Sequence, residues 1–193
     1  TPTTVFTVPA TGGEPRQVGK IAPGMIGSGD PDETLLLGVF AERSFELETG
    51  PRGPRFDAAY SAVGADGRPM SFADAKEVRV NARAEARIPM EMFVVDLRSG
   101  EQRTIHRSNA WLNHLQFSPT DPQHIMFCHE GPWHRVDRVW TLRLGTAQTP
   151  QLVHKRTMNM EMAGHEFFDV SGRFIWYDLQ TPRGEVFWLA RAN

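Results

Sequence analysis

The sequence predicts an all-β protein, a partial β-propeller with one long loop insertion, on three observations. Short runs rich in β-branched and aromatic residues recur between clusters of Gly, Pro, Asp and Ser: VFTV (5–8), TLLLGVF (34–40), MFVVDL (92–97), HIMFC (124–128), VWTLRL (139–144), RFIWYDL (173–179) and EVFWLA (185–190). Runs of that length and composition read as strands. Three frames, VFTVPATGGEPRQV, MFVVDLRSGEQRTI and VWTLRLGTAQTPQLV, each read strand, turn, strand, and VFWLARAN starts a fourth. Spacing is the third observation: Val94 to Trp140 is 46 residues and Trp140 to Phe187 is 47. NHLQFSP (113–119) aligns in the same way with GHEFFDV (164–170), placing His114 over His165, 51 positions on. A period in the high forties with four short strands per unit is the repeat of a propeller blade.

Taken in order, the N-terminal hairpin at VFTV and the run TLLLGVF begin the array. From Phe6 to Val94 is 88 residues, close to two periods. That step contains the stretch 42–90, rich in Gly, Pro, Ala and charge, which is expected to be a loop insertion with one short helix near Ala73–Arg87. The remaining runs complete about three to four blades, so 1–193 is one partial propeller domain. Propellers close with four to eight blades, and an open arc would expose strand edges and a half-covered core. The chain is therefore expected to be a segment of a larger protein.

Composition narrows the function. A hydrophobic share of 40% with 23% charged residues describes a soluble globular chain. A net charge of −2 gives no electrostatic case for nucleic acid or an anionic membrane surface. The longest apolar stretches, about five residues, fall far short of the ~20 that span a bilayer. The single cysteine, Cys128, excludes an intramolecular disulfide.

The histidines are unevenly placed: all seven fall between His106 and His165, two of them in CHEGPWHRVDRVW (128–140). In a blade, the start of the first strand and the loop joining strands two and three share one face. His114 and His165 are expected at first-strand starts in successive blades. Residues 128–138 and QTPRGE (180–185) are expected to join strands two and three. His114, His129, His134, Arg138, His165, Gln180 and Arg183 should then gather at one mouth of the channel, where rigidly supported loops usually bind ligands. A lone histidine in a strand is more often a hydrogen-bonded structural residue, and His106, His124 and His154 have only that reading. Trp133, Trp140, Trp176 and Trp188 are most simply packing between blades, and Cys128 reads as a small buried hydrophobe.

The stretches WLNHLQFSPTDPQHIMFCHEGPWHRVDRVWTLR (111–143), HKRTMNMEMAGHEFF (154–168) and IWYDLQTPRGEVFWLA (175–190) resemble oligogalacturonate lyases, seven-bladed β-propeller polysaccharide lyases that act on short pectin fragments. The likeness runs over about residues 88–191; FFDVSGR (167–173) departs from it only in a turn. It implies a seven-bladed ring and β-elimination of the 4-O-linkage in a small acidic oligosaccharide such as digalacturonate, releasing a 4-deoxy-5-keto-uronate. The catalytic base would be His165 in AGHEF, and the catalytic arginine Arg138 in VDRVW. His114, His129, His134, Gln180 and Arg183 remain substrate-binding candidates.

The chemistry suits these residue types. Removing a proton α to a carboxylate adds charge to an anionic group, which a guanidinium fork can hold bidentately. A neutral imidazole is a suitable base near pH 7. The resemblance also implies manganese (Mn2+), held by three histidines and a glutamine beyond Asn193, so no residue here is expected to be a metal ligand. A cytoplasmic setting is expected, with the periplasm as the alternative. The rival class is a non-catalytic, TolB-like propeller module that binds protein partners.

Overall fold

A computed structural model describes residues 2–21, 24–45, 64, 66–145 and 149–192. Among these, the strands are β1 (Thr3–Thr7), β2 (Arg16–Ile21), β3 (Met25–Gly29), β4 (Leu35–Ala41), β5 (Met90–Asp96), β6 (Gln102–Ser108), β7 (Trp111–Phe117), β8 (His124–Glu130), β9 (Val139–Arg143), β10 (Gln151–Leu152), β11 (Met162–Phe168), β12 (Phe174–Gln180) and β13 (Val186–Ala192). One helix, α1 (Phe72–Glu85), lies between β4 and β5.

The strands form a propeller array of antiparallel sheets: the hairpin β1-β2, four-stranded blades β3-β4-β5-β6 and β7-β8-β9-β10, and the three-stranded β11-β12-β13. Val94, Trp140 and Phe187, which set the repeat in the sequence, all lie on the third strand of their blades. Each consecutive pair of blades shares a buried apolar layer, which holds sheets that touch only face to face. Leu37, Val39, Met92 and Val94 meet Leu112, Leu115, Phe127 and Leu142 between the four-stranded blades. Met126, Val139 and Val153 meet Ala163, Phe168, Ile175 and Tyr177 in the next gap.

Strand β8 shows how the two-residue period sorts side chains. Ile125 and Phe127 belong to the layer against the preceding blade, while Met126 belongs to the layer against the following one. Continued to the strand end, this alternation sends His129 one way, and Cys128 and Glu130 the other.

The insertion contains the expected helix, shifted by one or two residues. Ser71 caps it, its Oγ accepting from the Asp74 N–H at 3.2 Å and donating to the Asp74 carboxylate at 2.6 Å. Arg87 ends it in the left-handed region with φ 43°. The helix is tied to the β8–β9 loop through Arg135, which donates to Asn81 Oδ1 at 2.6 Å. The rest of the expected insertion, 46–63 and 65, lies outside the described residues.

First strands lie side by side along the inner edge of the array. The Phe117 N–H donates to Ser28 Oγ at 3.1 Å, linking β7 to β3, and Gln116 Nε2 donates to the Glu166 carbonyl at 3.1 Å, linking β7 to β11. Each first strand is irregular in register, at Ile26/Ser28, Asn113/Gln116 and Gly164/Phe167. His114 and His165 sit at the last two irregularities. They are fourth in seven-residue strands rather than at strand starts, because pairing resumes beyond each bulge through Trp111–Asn113 and Met162–Gly164.

Candidate active site

The gap between β7-β8 and β11-β12 collects five polar side chains and one indole. Arg138, directly before β9, is 1% exposed and the bulkiest fully buried side chain among the described residues. Its Nη1 donates to Glu130 Oε1 at 2.6 Å and its Nε to Glu166 Oε2 at 3.2 Å. A guanidinium can be buried only when paired in this way. Burial works against its charge, yet its pKa is raised by the acidic groups packed around it, Glu166 and Glu130 among them. The fork that the sequence assigned to a ligand carboxylate is thus engaged within the protein on two of its nitrogens. Nη2 makes no hydrogen bond among the described residues.

His114 closes the cluster from the solvent side. Its Nδ1 lies 3.2 Å from Glu166 Oε1 and its Nε2 3.6 Å from Glu130 Oε2. The hydrogen bond to Glu166 raises its pKa and outweighs partial burial. Burial alone would raise the pKa of Glu166, yet His114 and Arg138 bring it down to about 2. Cys128 also reaches Glu166 Oε1, at 2.6 Å. Its thiol is pushed well upward by burial and by the Glu166 charge, so it stands as a protonated donor rather than a nucleophile.

Trp133 joins this cluster to His165. The Arg138 guanidinium lies 4.6 Å from the Trp133 ring centre, and the His165 ring meets the same indole edge-on at 5.5 Å. Trp133 Nε1 donates to Glu130 Oε1 at 3.2 Å. Gly164 permits this seat, since a Cβ there would lie 2.5 Å from the indole. His165 is 64% exposed at its side chain, with Nδ1 3.2 Å from Asp178 Oδ1. Both histidines have positive φ, 51° for His114 and 49° for His165. Non-glycine residues held there cost free energy and often mark functional positions.

The remaining candidates separate. His129 points away, as the alternation of β8 dictates, and stacks against Trp140 at 4.7 Å and Phe127 at 5.8 Å. Burial, with the nearby His106, lowers its pKa to about 4. His134 lies in the β8–β9 loop with its carbonyl accepting from Arg156. Gln180 is near the site, but its amide donates to Asp178 Oδ2 at 3.0 Å. Arg183 is exposed in the β12–β13 turn, its N–H donating to Thr181 Oγ1 at 3.3 Å. The sequence does not single out Glu130, Trp133 or Asp178 as members. Period-two alternation was the available signal: Glu130 shares a face with Cys128, and Asp178 shares one with Gln180.

Ligating atoms of His114, Cys128 and Glu166 lie within 4.8 Å of one another. They do not fit manganese, which favours open sets of oxygen and imidazole donors. The thiol is held protonated, and the second oxygen of Glu166 already bonds a guanidinium.

A sequence profile described as oligogalacturonate lyase matches residues 82–180, just over half of the chain and all of this cluster. The chain belongs to the oligogalacturonate lyase family. Similar members include the oligogalacturonate lyase of Dickeya dadantii (strain 3937), 34% identical over 84 residues, which are 43% of this chain and 21% of that protein. The oligogalacturonide lyase of Pectobacterium atrosepticum is 36% identical over 84 residues, with the same shares. The matched stretch thus spans about a fifth of these relatives. A solved oligogalacturonate lyase in complex with manganese has TM-score 0.68 at 24% identity, covering 93% of this chain and 42% of that one. The oligogalacturonate lyase of Vibrio parahaemolyticus gives 0.64 at 22%, with the same coverage. A putative TolB from Agrobacterium tumefaciens reaches 0.50 at 13% identity over 98% of this chain and 57% of that one, a likeness of fold alone.

Proposed function

We propose that this chain is the part of an oligogalacturonate lyase that supplies the proton-abstracting base and the charge-stabilising cluster. The observation that carries the reading is the pairing of an exposed imidazole, His165, with a buried guanidinium, Arg138, both packed on Trp133. The substrate would be a short acidic oligosaccharide of the digalacturonate type. His165 Nε2 takes the C5 proton, the C4–O bond breaks, and a C4=C5 double bond forms as the leaving oxygen takes up a proton. The resulting product is a 4,5-unsaturated or 4-deoxy-5-keto-uronate. The C5 proton is acidic only if its neighbouring carboxylate is neutralised. Arg138 offers Nη2 for this, and the His114 imidazolium adds positive charge at the solvent side. The manganese expected of the family supplies further Lewis-acid neutralisation when bound, by donors other than those described here.

The test is turnover of digalacturonate by the full-length protein that carries this chain, followed by formation of the unsaturated or keto product. His165→Ala is expected to lower kcat by about 10²–10⁴-fold, the range of a positioned base. Turnover within threefold of the parent in His165→Ala would overturn the assignment.

A further inference from the structure

The carboxylate behind His165 is placed in a way that packing does not require. Asp178 lies on β12, opposite Gly164 on β11 and Trp188 on β13, and is 5% exposed. A buried carboxylate must be met by donors. Among the described residues it has no arginine or lysine partner. Oδ2 accepts from Gln180 Nε2 at 3.0 Å, and Oδ1 faces His165 Nδ1 at 3.2 Å.

His165 gains nothing in solvation from this contact, because its ring is 64% exposed and water could satisfy it. The need runs the other way: the buried Oδ1 requires a proton donor, and the donor it meets is Nδ1. In the neutral ring the proton then resides on Nδ1, and the lone pair is on Nε2, the ring atom away from Asp178. The backbone supports the same aim. The bulge at Gly164/Phe167 and φ 49° turn the His165 side chain out of the regular strand alternation, while Trp133 closes on the ring edge.

We propose that Asp178 is the positioning residue that fixes the His165 tautomer with Nε2 as base, and that Gln180 holds Asp178 in register for that task. The inference rests on reading His165 as the base and adds two residues that act through it. A wrong tautomer would present N–H to the substrate and could take no proton, whereas substrate binding elsewhere in the site would be untouched.

The experiment uses the full-length protein and two readouts. Side-chain 15N–1H spectra report which ring nitrogen of His165 holds the proton, and steady-state kinetics on digalacturonate separate kcat from KM. In the parent, the neutral His165 ring is expected as the Nδ1–H form. Asp178→Asn is expected to shift the ring toward the Nε2–H form and to lower kcat by about 10²-fold or more, with KM within about threefold. A parent-like tautomer and kcat in Asp178→Asn, alongside an inactive His165→Ala, would overturn the positioning role while leaving the base in place. An active His165→Ala would instead remove the base reading, and the tautomer spectrum would still decide whether Asp178 governs the ring. Gln180→Leu keeps the carboxylate and serves where Asp178→Asn fails to fold by circular dichroism. It is expected to mix the tautomers and lower kcat by about tenfold, the scale of an outer hydrogen-bond partner; parent behaviour there overturns the proposal.

Discussion

His114 and His165 occupy the same place in consecutive blades, each at the first-strand bulge, with φ 51° and 49°. Their surroundings differ. His114 is bonded to the buried Glu166, whereas His165 reaches into solvent with Asp178 behind it. A left-handed backbone costs a non-glycine residue about 1–2 kcal/mol, so glycine relieves strain at both positions, while each also loses a contact: Asp178 loses a donor at 165, and Glu166 and Glu130 lose a cation at 114. His165→Gly is expected to unfold in urea within about 1 kcal/mol of the parent, because the relieved strain offsets a lost donor that water can replace where the exposed ring stood. His114→Gly is expected to lose about 2 kcal/mol or more, because Glu166 and Glu130 are left with one cation fewer. Equal losses in the two variants would contradict this division.

Glu166 is the hinge of the cluster, touching Arg138, His114 and Cys128 at once. Breaking a buried pair on one side strands the other partner's charge, which typically costs about 3–5 kcal/mol. Glu166→Gln should therefore lower the unfolding free energy by about that amount, and Arg138→Met should do the same. The double variant is expected to be less destabilised than the two single losses added together, a coupling that a double-mutant cycle in urea measures directly. Additive losses would mean that the two side chains do not stabilise each other.

Some of this was legible in the sequence and some was not. Strand composition and the spacing of Val94, Trp140 and Phe187 determine the blades, because packing between adjacent sheets forces equivalent positions to repeat. The alignment of His114 with His165 survives for the same reason. The carboxylates were harder. Glu166 follows His165 in the chain but works with Arg138, 28 positions earlier, across a gap between blades. No local pattern marks that contact. His129 was misdirected by its sequence neighbours: it lies between Cys128 and Glu130, yet pleating turns it to the opposite layer, against Trp140. Gln180 lies beside Asp178, to which its amide donates rather than to open solvent.

The same cluster dictates an acid limb of stability. The Glu166 pKa lies at about 2 in the folded protein against an ordinary value of 4.5. Between these values the unfolded chain binds the proton and the folded one does not, so stability rises with pH across the window. The contribution is complete above about pH 4.5 and is lost as pH falls toward 2. His114 has the opposite sign: its raised pKa gives stability that is full below 6.5 and lost as pH climbs through the folded value. Urea titrations from pH 2 to 9 should show both limbs, and Glu166→Gln should flatten both, since His114 loses the bond that raises it. An alkaline limb that persists in Glu166→Gln would assign it to another group.

Trp133 is the element whose displacement should separate geometry from charge. Its indole contacts both the Arg138 guanidinium and the His165 ring, and it can lie there because residue 164 has no side chain. A methyl group at that position would come within 2.5 Å of the ring, a distance real contacts do not reach, so the indole must move. Gly164→Ala removes no ionisable group and no hydrogen-bonding side chain. Overpacking of this kind typically costs about 1–3 kcal/mol, and the larger effect should be on catalysis. With Trp133 displaced, His165 loses the edge contact that limits its swing, and a base misplaced by about 1 Å can lower kcat by about 10²-fold. The expected result is a folded protein with altered tryptophan fluorescence, a modest fall in stability and a kcat loss out of proportion to it. Full turnover in Gly164→Ala, with the fluorescence changed, would show that the indole packs against the site without organising it.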